Sequence, residues 1–411
     1  MNKSIVIGLS PNTQRDDVMK ALSLLCFPWR FIQGEYVSQL ERWFKSYFNT
    51  SYAIAFNSGR SALYALLHAL EIGENDEVIM QAFTCTVVAN SILANGAKPI
   101  YVDINSQLTL DVEDVEKKIT KNTKAIIIQH TFGIPANLDK LLTVAKKYKL
   151  FVIEDVAHSI GGKYHKKKLG KFGDAAFFSF GRDKAFSSVW GGMAITNNKS
   201  LGSKIRLYQR QRDTHSIGFV YQQLLHPFIT SFALSLYDFL SLGKIIIVLS
   251  QKMRLLSFPV STIEKKGMFH PREVKKMPNA LAQLALHQLK KIEQYNKKRQ
   301  QFASIYQLLL PKEICLNFEK NIYFLRFPIL IEHPEKLINV LRKKLHIYGG
   351  SWYSNVMDPK GSDFTTIRYI PGSCPKAEEV ASHIVNLPTM PILEKESIEL
   401  IAKEVKTYVI H

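Results

Sequence analysis

Between Tyr52 and Thr196 the chain alternates short apolar stretches with longer amphipathic ones. Each short stretch has the length of a buried strand, and each longer one has apolar residues at helical spacing. This alternation predicts an α/β fold, in which helices cover both faces of a mainly parallel sheet. The predicted strands are YAIAF, EVIMQAF, KPIYVDI, KAIIIQHT, LFVIED and AAFFSF, and the helices between them include SALYALLHAL, TVVANSILANG, DVEDVEKKI and LDKLLTVAKKYK.

The C-terminal part of the chain has a different pattern. After Pro278, apolar residues three and four positions apart predict one long amphipathic helix, NALAQLALHQLKKIEQYNKKRQQFASIYQLLL. The strand pattern YFLRFPILI and the helix patterns EKLINVLRKKLH and ESIELIAKEVKTYVI then predict a smaller α+β domain. We therefore expect a large domain over residues 1–215, a connecting segment over 216–270, and the linking helix with the small domain over 271–411.

The connecting segment contains an unusually apolar stretch. Residues 216–237 include no Asp, Glu, Lys or Arg, and a second apolar run follows at 245–249. Gln222, His226 and Pro227 interrupt the first run, so it is a poor candidate for a transmembrane helix, which needs about 20 predominantly apolar residues. Three interpretations stay open: helices of the core or of a dimer interface, a helix pair on a membrane surface, and a lid over an apolar substrate.

Composition and charge narrow the class of protein. The 411 residues are 46% hydrophobic, which is enough for the cores of two domains. The four cysteines are scattered and the N-terminal residues lack the apolar core of a secretion signal, so we expect a cytoplasmic enzyme without a metal site. The formal charge of +19 indicates either solvated lysines or an anionic partner, but the basic residues are dispersed, and we expect no nucleic-acid partner.

Candidate chemistry lies where the predicted strands end, because ligands bind at the carboxyl ends of strands in such sheets. The helix that follows the first strand leaves backbone N–H groups free at its positive end, which suits a phosphate, although the same residue types also serve as purely structural caps. The candidate residues at these positions are Gly59, Arg60, Ser61, Phe83, Asp155, His158, Ser179 and Lys184.

Lys184 and Asp155 together suit chemistry on pyridoxal phosphate. A lysine amine held in a pocket attacks an aldehyde and forms a Schiff base. A carboxylate keeps the pyridine nitrogen protonated, so that the ring acts as an electron sink. Glu154, the neighbour of Asp155, should point to the opposite face because side chains alternate along a strand. Alone, Lys184 is also compatible with an exposed amine, and Asp155 with a helix cap or a metal ligand.

An ordered series of sequence stretches resembles the DegT/DnrJ/EryC1/StrS family of pyridoxal phosphate-dependent sugar aminotransferases, which have the type I aminotransferase fold. The series runs from about Phe31 to Leu393 and includes FNSGRSALYALLHAL, VIEDVAHSIGGKY, LGKFGDAAFFSFGRDK, MPNALAQLALHQL and VNLPTMPIL. The resemblance implies that Lys184 binds the cofactor and that Asp155 pairs with its pyridine nitrogen. It also implies that Ser179 contacts the phosphate. His158 replaces a glutamine near the ring hydroxyl, and Phe83 falls near the aromatic residue that stacks on the ring.

The sequence departs from the family at several positions. The family's phosphate turn corresponds to residues 59–61, where Arg60 replaces a threonine, and its guanidinium either contacts the phosphate or extends into solvent. After the lysine, Trp190 replaces an acidic residue. Val274 and Lys276 replace an asparagine and an arginine. These differences affect the expected substrate more than the expected chemistry.

The resemblance implies a ping-pong transamination in which an amino donor, glutamate, and then a nucleotide-linked keto-sugar react in turn. The product would enter surface-polysaccharide or aminosugar biosynthesis, and the enzyme would be a homodimer. One alternative is a pyridoxal phosphate-dependent sugar dehydratase, which Lys184 disfavours because that branch of the family has a histidine there. Another is a non-catalytic binding protein on the same fold. Residues 216–250 are a candidate peripheral membrane contact, both for the aminotransferase and for the non-catalytic binding protein.

Overall fold

The computed structural model describes residues 4–318 and 322–410. The helices within these ranges are α1 (Arg15–Leu25), α2 (Tyr36–Phe48), α3 (Gly59–Ala69), α4 (Thr86–Ala94), α5 (Val112–Lys118), α6 (Leu138–Tyr148), α7 (Lys199–Arg210), α8 (Ile217–Ser235), α9 (Leu242–Lys252), α10 (Thr262–Lys265), α11 (Asn279–Leu289), α12 (Ile292–Leu309), α13 (Pro334–Leu345), α14 (Pro375–His383) and α15 (Lys395–Ile410). The strands are β1 (Ile5–Val6), β2 (Tyr52–Phe56), β3 (Glu77–Gln81), β4 (Thr84–Cys85), β5 (Lys98–Val102), β6 (Thr123–Gln129), β7 (Phe151–Asp155), β8 (Lys163–Tyr164), β9 (Lys167–Lys168), β10 (Ala175–Ser179), β11 (Gly192–Thr196), β12 (Arg326–Leu330), β13 (Ile347–Tyr348), β14 (Met357–Asp358) and β15 (Ile384–Pro388).

A seven-stranded sheet with the order β2-β11-β10-β7-β6-β3-β5 organises the N-terminal half of the chain. Only β11 runs antiparallel to its neighbours β10 and β2, and all six predicted strands are present, so the predicted α/β fold is confirmed. The alternation of strands and helices does not reveal β11, because no helix separates it from β10.

Helices cover both faces of this sheet, as the continuously apolar strands require. Successive residues of β2 show the arrangement. Ala53 and Ala55 belong to one apolar cluster, whereas Ile54 and Phe56 belong to another on the opposite face. The carboxyl ends of the parallel strands are thus the part of the sheet that is available for a ligand.

The predicted linking helix is two helices, which corrects that prediction. α11 ends at Leu289 and α12 begins at Ile292. Lys291 lies at the break, where its Nζ is 2.8 Å from a carboxylate oxygen of Asp16 and 2.9 Å from one of Asp17. The predicted helix is therefore interrupted at Lys291, the residue whose side chain forms ion pairs with α1.

The C-terminal part pairs β12 with β15 in an antiparallel sheet, against which α13 packs, and α15 packs along α12. One apolar cluster contains residues from both parts of the chain, such as Leu63 and Ile401. The division at residues 215 and 270 therefore stays a prediction.

The connecting segment forms α8 and α9, which pack against each other, while α8 also packs against α1. Pro227 lies inside α8. Among the residues described, no helix combines the length and the hydropathy that crossing a membrane requires.

Candidate active site

A cavity of about 320 Å³ lies at the carboxyl edge of the central sheet. Its lining brings together most of the residues predicted at the strand ends, which are Gly59, Arg60, Asp155, His158, Ser179 and Lys184. Ser61 lies just behind it in the first turn of α3, where its Oγ is 2.8 Å from the Oγ of Ser58.

The N-terminus of α3 forms one end of the cavity. Ser58 caps the helix by accepting a hydrogen bond from the backbone N–H of Ser61 over 3.2 Å. A Cβ at Gly59 would lie 2.9 Å from the Cβ of Ser179, and a Cβ at Gly192 would lie 2.3 Å from the carbonyl of Ser58. Both glycines are therefore required for close approach, and the free N–H groups of α3 adjoin the hydroxyl of Ser179. This is an arrangement that binds phosphate.

Asp155 lies at the end of β7 and is buried at the edge of the cavity. Its Oδ1 accepts a hydrogen bond of 2.9 Å from the backbone N–H of Ala157. Burial raises the pKa of Asp155 to about 6, although that hydrogen bond and the nearby Lys184 oppose the rise. A cationic N–H donor is the ligand that such a carboxylate accommodates best.

Glu154 lies on the other face of the same strand, as strand alternation predicts. Its carboxylate accepts hydrogen bonds from the backbone N–H groups of Gly170, Phe172 and Gly173, at 2.8, 2.6 and 2.8 Å. The Nε2 of His130 lies 3.2 Å from it. These partners make Glu154 a structural carboxylate, whereas Asp155 is available for a ligand.

Lys184 and His158 contact each other inside the cavity, with 3.2 Å between Nζ and Nε2. The Nδ1 of His158 accepts a hydrogen bond of 3.2 Å from the backbone N–H of Phe132. Burial and the neighbouring Lys184 lower the pKa of His158 well below its ordinary value, so the imidazole is neutral and its proton is on Nε2. That N–H points toward the Nζ of Lys184, and the hydroxyl oxygen of Tyr353 lies 3.4 Å from the same Nε2 atom.

These groups fit pyridoxal phosphate. An amine is present for the aldehyde, a buried carboxylate for the pyridine nitrogen, and a helix N-terminus with a serine hydroxyl for the phosphate. The fit rests on the chemistry of the donors and on the close approach at Gly59 and Gly192.

Phe83 does not line the cavity. Its φ of 61° is in the left-handed region, and its buried ring packs edge-on against Phe132 and Tyr353. The aromatic side chains that do line the cavity are Trp352 and Tyr353, and the ring centre of Trp352 lies 4.7 Å from the Nζ of Lys184. Sequence patterns did not single out these two residues, because they lie in an irregular loop with no periodic signal.

Three charged residues near Lys184 were also missed. The guanidinium of Arg326 lies 3.9 Å from the ring centre of Trp352. Burial alone would raise the pKa of Asp183, but Lys184 and Arg326 bring it below its ordinary value. Burial raises the pKa of Asp358 to about 7 even though Arg326 opposes the rise. The surroundings of Lys184 thus contain cationic and acidic groups in addition to Lys184 and Asp155 themselves. Of these, only Asp183 could have been noticed in the sequence, because it directly precedes Lys184.

The end of the connecting segment closes one side of the cavity. Phe258, Pro259 and Val260 line it, and we call residues 257–264 the cap segment. Arg182 donates hydrogen bonds to the carbonyl oxygen and the Oγ of Ser257, at 2.5 and 2.7 Å.

Arg60 holds the other end of the cap segment. Its guanidinium forms an ion pair with Glu264 and donates a hydrogen bond of 2.9 Å to the carbonyl of Pro259. The ring of Trp190 lies between the two arginines, with its centre 5.0 Å from the guanidinium of Arg60 and 6.0 Å from that of Arg182. The interpretation in which Arg60 extends into solvent is wrong, because the guanidinium is buried and paired. A contact with the phosphate stays a prediction.

The fold and the site define a pyridoxal phosphate-dependent aminotransferase. The chain belongs to the DegT/DnrJ/EryC1/StrS aminotransferase family, whose model matches residues 14–222 and 249–406. The resemblance found in the sequence is thereby confirmed, together with the cofactor.

Individual relatives and solved structures agree with this assignment. The chain is 28% identical to GDP-perosamine synthase of Escherichia coli O157:H7, over 92% of both chains. It is 40% identical to dTDP-3-amino-3,6-dideoxy-alpha-D-galactopyranose transaminase of Aneurinibacillus thermoaerophilus, over 41% of this chain and 47% of that protein. The crystal structure of NtdA from Bacillus subtilis with bound cofactor PMP has the same fold, with a TM-score of 0.76 at 22% identity over 100% of this chain and 86% of that one.

Proposed function

We propose that the protein transfers the amino group of glutamate to a nucleotide-linked keto-sugar, in surface-polysaccharide or aminosugar biosynthesis. The observation that carries this proposal is the amine of Lys184 in a cavity that also contains Asp155 and the N-terminus of α3. The names of the two relatives, which specify a GDP-linked and a dTDP-linked amino sugar, support the class of acceptor.

Different residues of the cavity would bind different parts of the cofactor. The N–H groups of α3 and the hydroxyl of Ser179 would bind the phosphate, Asp155 would keep the proton on the pyridine nitrogen, and Lys184 would bind the aldehyde. When bound, pyridoxal phosphate supplies an electron sink that stabilises negative charge on the substrate carbon next to the nitrogen.

The protein's own groups perform the proton transfers. The Nε2–H of His158 orients the Nζ of Lys184 from 3.2 Å away. The Nζ of Lys184, once free, accepts the proton from the α-carbon of the donor and returns a proton to the carbon of the acceptor in the second half-reaction. The cap segment and Trp352 line the cavity beside Lys184, and one water molecule must still enter, because release of the donor as its keto acid consumes it.

We also propose that the active enzyme is a homodimer, as the family resemblance implies. Sedimentation of the parent protein across a range of concentrations tests it. A single species with the mass of two chains is expected, and an active monomer would contradict this part of the proposal.

The decisive experiment is an absorbance titration of the protein with pyridoxal phosphate and then with glutamate. The parent should show the visible band of the lysine-bound cofactor and lose it on addition of glutamate. Lys184→Ala should show neither effect, whereas Lys199→Ala, which changes an exposed lysine at the start of α7, should behave as the parent does.

The second half-reaction is tested on the protein that glutamate has aminated. Nucleotide-linked keto-sugars should restore the visible band, and the same sugars without the nucleotide should not. If glutamate leaves the parent spectrum unchanged, the proposed donor is wrong. If every sugar fails after a normal first half-reaction, the proposed acceptor is wrong.

A further inference from the structure

The helix α9 places its apolar side chains outward. Leu242, Ile245, Val248 and Leu249 are exposed, whereas Gly243 and Ser250 are the buried residues of the helix. A helix on the surface of a protein in water normally shows the opposite arrangement, with its apolar stripe toward the core.

The helix α8, which packs against α9, shows the same inversion in its C-terminal half. Phe228 and Phe232 are exposed and their rings stack, with 6.5 Å between centres. Thr230, in the same half of the helix, is completely buried. More than half of the large apolar side chains that are exposed among the described residues lie between Ile217 and Met268. We call the six outward side chains Phe228, Phe232, Leu242, Ile245, Val248 and Leu249 the outer face.

The charges beside the outer face are positive and uncompensated. Asp238 is the only acidic residue between positions 214 and 263. Its carboxylate is already engaged by the hydroxyls of Ser4 and Tyr348 and by His346 at 3.0 Å. Lys252 and Arg254 are exposed, and neither forms an ion pair within residues 4–318 and 322–410. The surface therefore combines apolar area with free cations, which is the complement of an anionic lipid headgroup layer.

A second copy of the chain complements this surface less well. Two copies joined by a twofold axis through the outer face would bring the same uncompensated cations into one interface. The family model also leaves out residues 223–248, so most of this helix pair is not part of the fold that family members share. An interface common to the family is therefore formed by other residues.

We propose that the outer face docks the protein peripherally on an anionic phospholipid membrane, with α8 and α9 lying in the plane of the headgroups. Helices of 19 and 11 residues with an apolar outward face suit this position, and neither spans the bilayer. Lys252 and Arg254 then contact lipid phosphates. The cap segment follows α9 in the chain, and its exposed Phe258 lines the catalytic cavity, so docking brings the cavity close to the membrane surface.

Flotation of the cofactor-loaded protein with vesicles tests this inference independently of the sugar substrate. We expect the parent to float with vesicles of phosphatidylcholine and phosphatidylglycerol at low salt, and to float less with pure phosphatidylcholine or at high salt. Ile245→Glu with Leu249→Glu should reduce the bound fraction roughly tenfold or more, because a charged side chain replaces each apolar one at the interface. Leu308→Glu, which changes an exposed leucine of α12, is the matched control and should float as the parent does.

Two further measurements separate the possible outcomes. Lys252→Gln with Arg254→Gln should weaken binding to anionic vesicles alone, and all variants should keep the parent's spectral response to glutamate. A parent that stays in the aqueous fraction with every vesicle, or binding that the Ile245 and Leu249 changes leave intact, would overturn the proposal. Dissociation of a parent oligomer by those changes, without any vesicle binding, would assign the outer face to a protein interface instead.

Discussion

The Nε2 of His158 lies 3.2 Å from the Nζ of Lys184, and the Nδ1 of the same ring accepts a backbone hydrogen bond from Phe132. The backbone contact fixes both the tautomer and the orientation of the ring. His158 is therefore a positioning residue that directs one N–H at the amine.

This contact predicts that position 158 requires a side chain with an N–H donor. An imidazole is one such side chain, and an amide is another. His158→Ala should lower kcat for transamination roughly 10- to 100-fold, because the amine loses its orientation. His158→Gln should keep most of the activity, because its amide also donates an N–H. Single-turnover rates with glutamate measure the effect. Equal losses in both variants, or a parallel fall in the unfolding temperature, would show that the ring acts only through packing.

Substitutions of the neighbours Asp155 and Glu154 in β7 should have different effects, the first on catalysis and the second on stability. Asp155→Asn should reduce kcat/KM by at least about 100-fold and weaken retention of pyridoxal phosphate, while the fold remains intact. Glu154→Gln should instead lower the free energy of unfolding by about 2–4 kcal/mol, because the amide cannot accept all the hydrogen bonds that three backbone N–H groups donate. Urea unfolding and steady-state kinetics on both variants check this. The reverse pattern would show that the two faces of β7 have been assigned wrongly.

Asp358 should make the stability of the protein without cofactor depend on pH. Its pKa of about 7 lies above the ordinary value of 3.8, so the folded state binds the proton more tightly than the unfolded state does. Stability therefore falls as the pH rises from about 4 to about 7. Asp358→Asn removes this penalty and should be more stable than the parent by about 2–4 kcal/mol above pH 7, with no difference near pH 4. The exposed Asp213→Asn is the control, and an advantage that does not vary with pH would contradict the assignment.

Arg60 and Glu264 should behave as a coupled buried pair. Arg60→Met or Glu264→Gln alone should destabilise the protein by about 3–5 kcal/mol, because each leaves one buried group without its partner. The double variant should lose clearly less than the sum of the single losses. Hydrogen exchange of the cap segment should accelerate in both single variants. Additive losses, or exchange that stays at the parent rate, would mean that the pair does not hold the cap.

The spacing of apolar residues correctly predicted those strands and helices that have a clear pattern within their own stretch of sequence. The strand β7 and the helix α3 have clear apolar patterns, and the rule that ligands bind at strand ends correctly placed Asp155 and Lys184 at one edge of the sheet. The residue types at these two positions already suited pyridoxal phosphate, and the family resemblance implied the same roles for them.

The remaining parts of the site depend on contacts between distant segments. Trp352 reaches Lys184 from a loop far along the chain, and Arg60 is paired with a glutamate that lies about two hundred positions away in the chain. No local pattern encodes such pairs. Phe83 shows the same limit, because its position at a strand end did not reveal that its ring is buried against Phe132 and Tyr353.

The close approach at Gly192 also bears on how substitutions affect the site. The carbonyl of Ser58 occupies the space that a side chain at position 192 would need, so the start of α3 and the start of β11 lie this close only with glycine at that position. A larger residue there would push the first turn of α3 away from β11, together with the backbone N–H groups that suit a phosphate. Cofactor affinity can therefore be lost through a residue that has no functional group of its own.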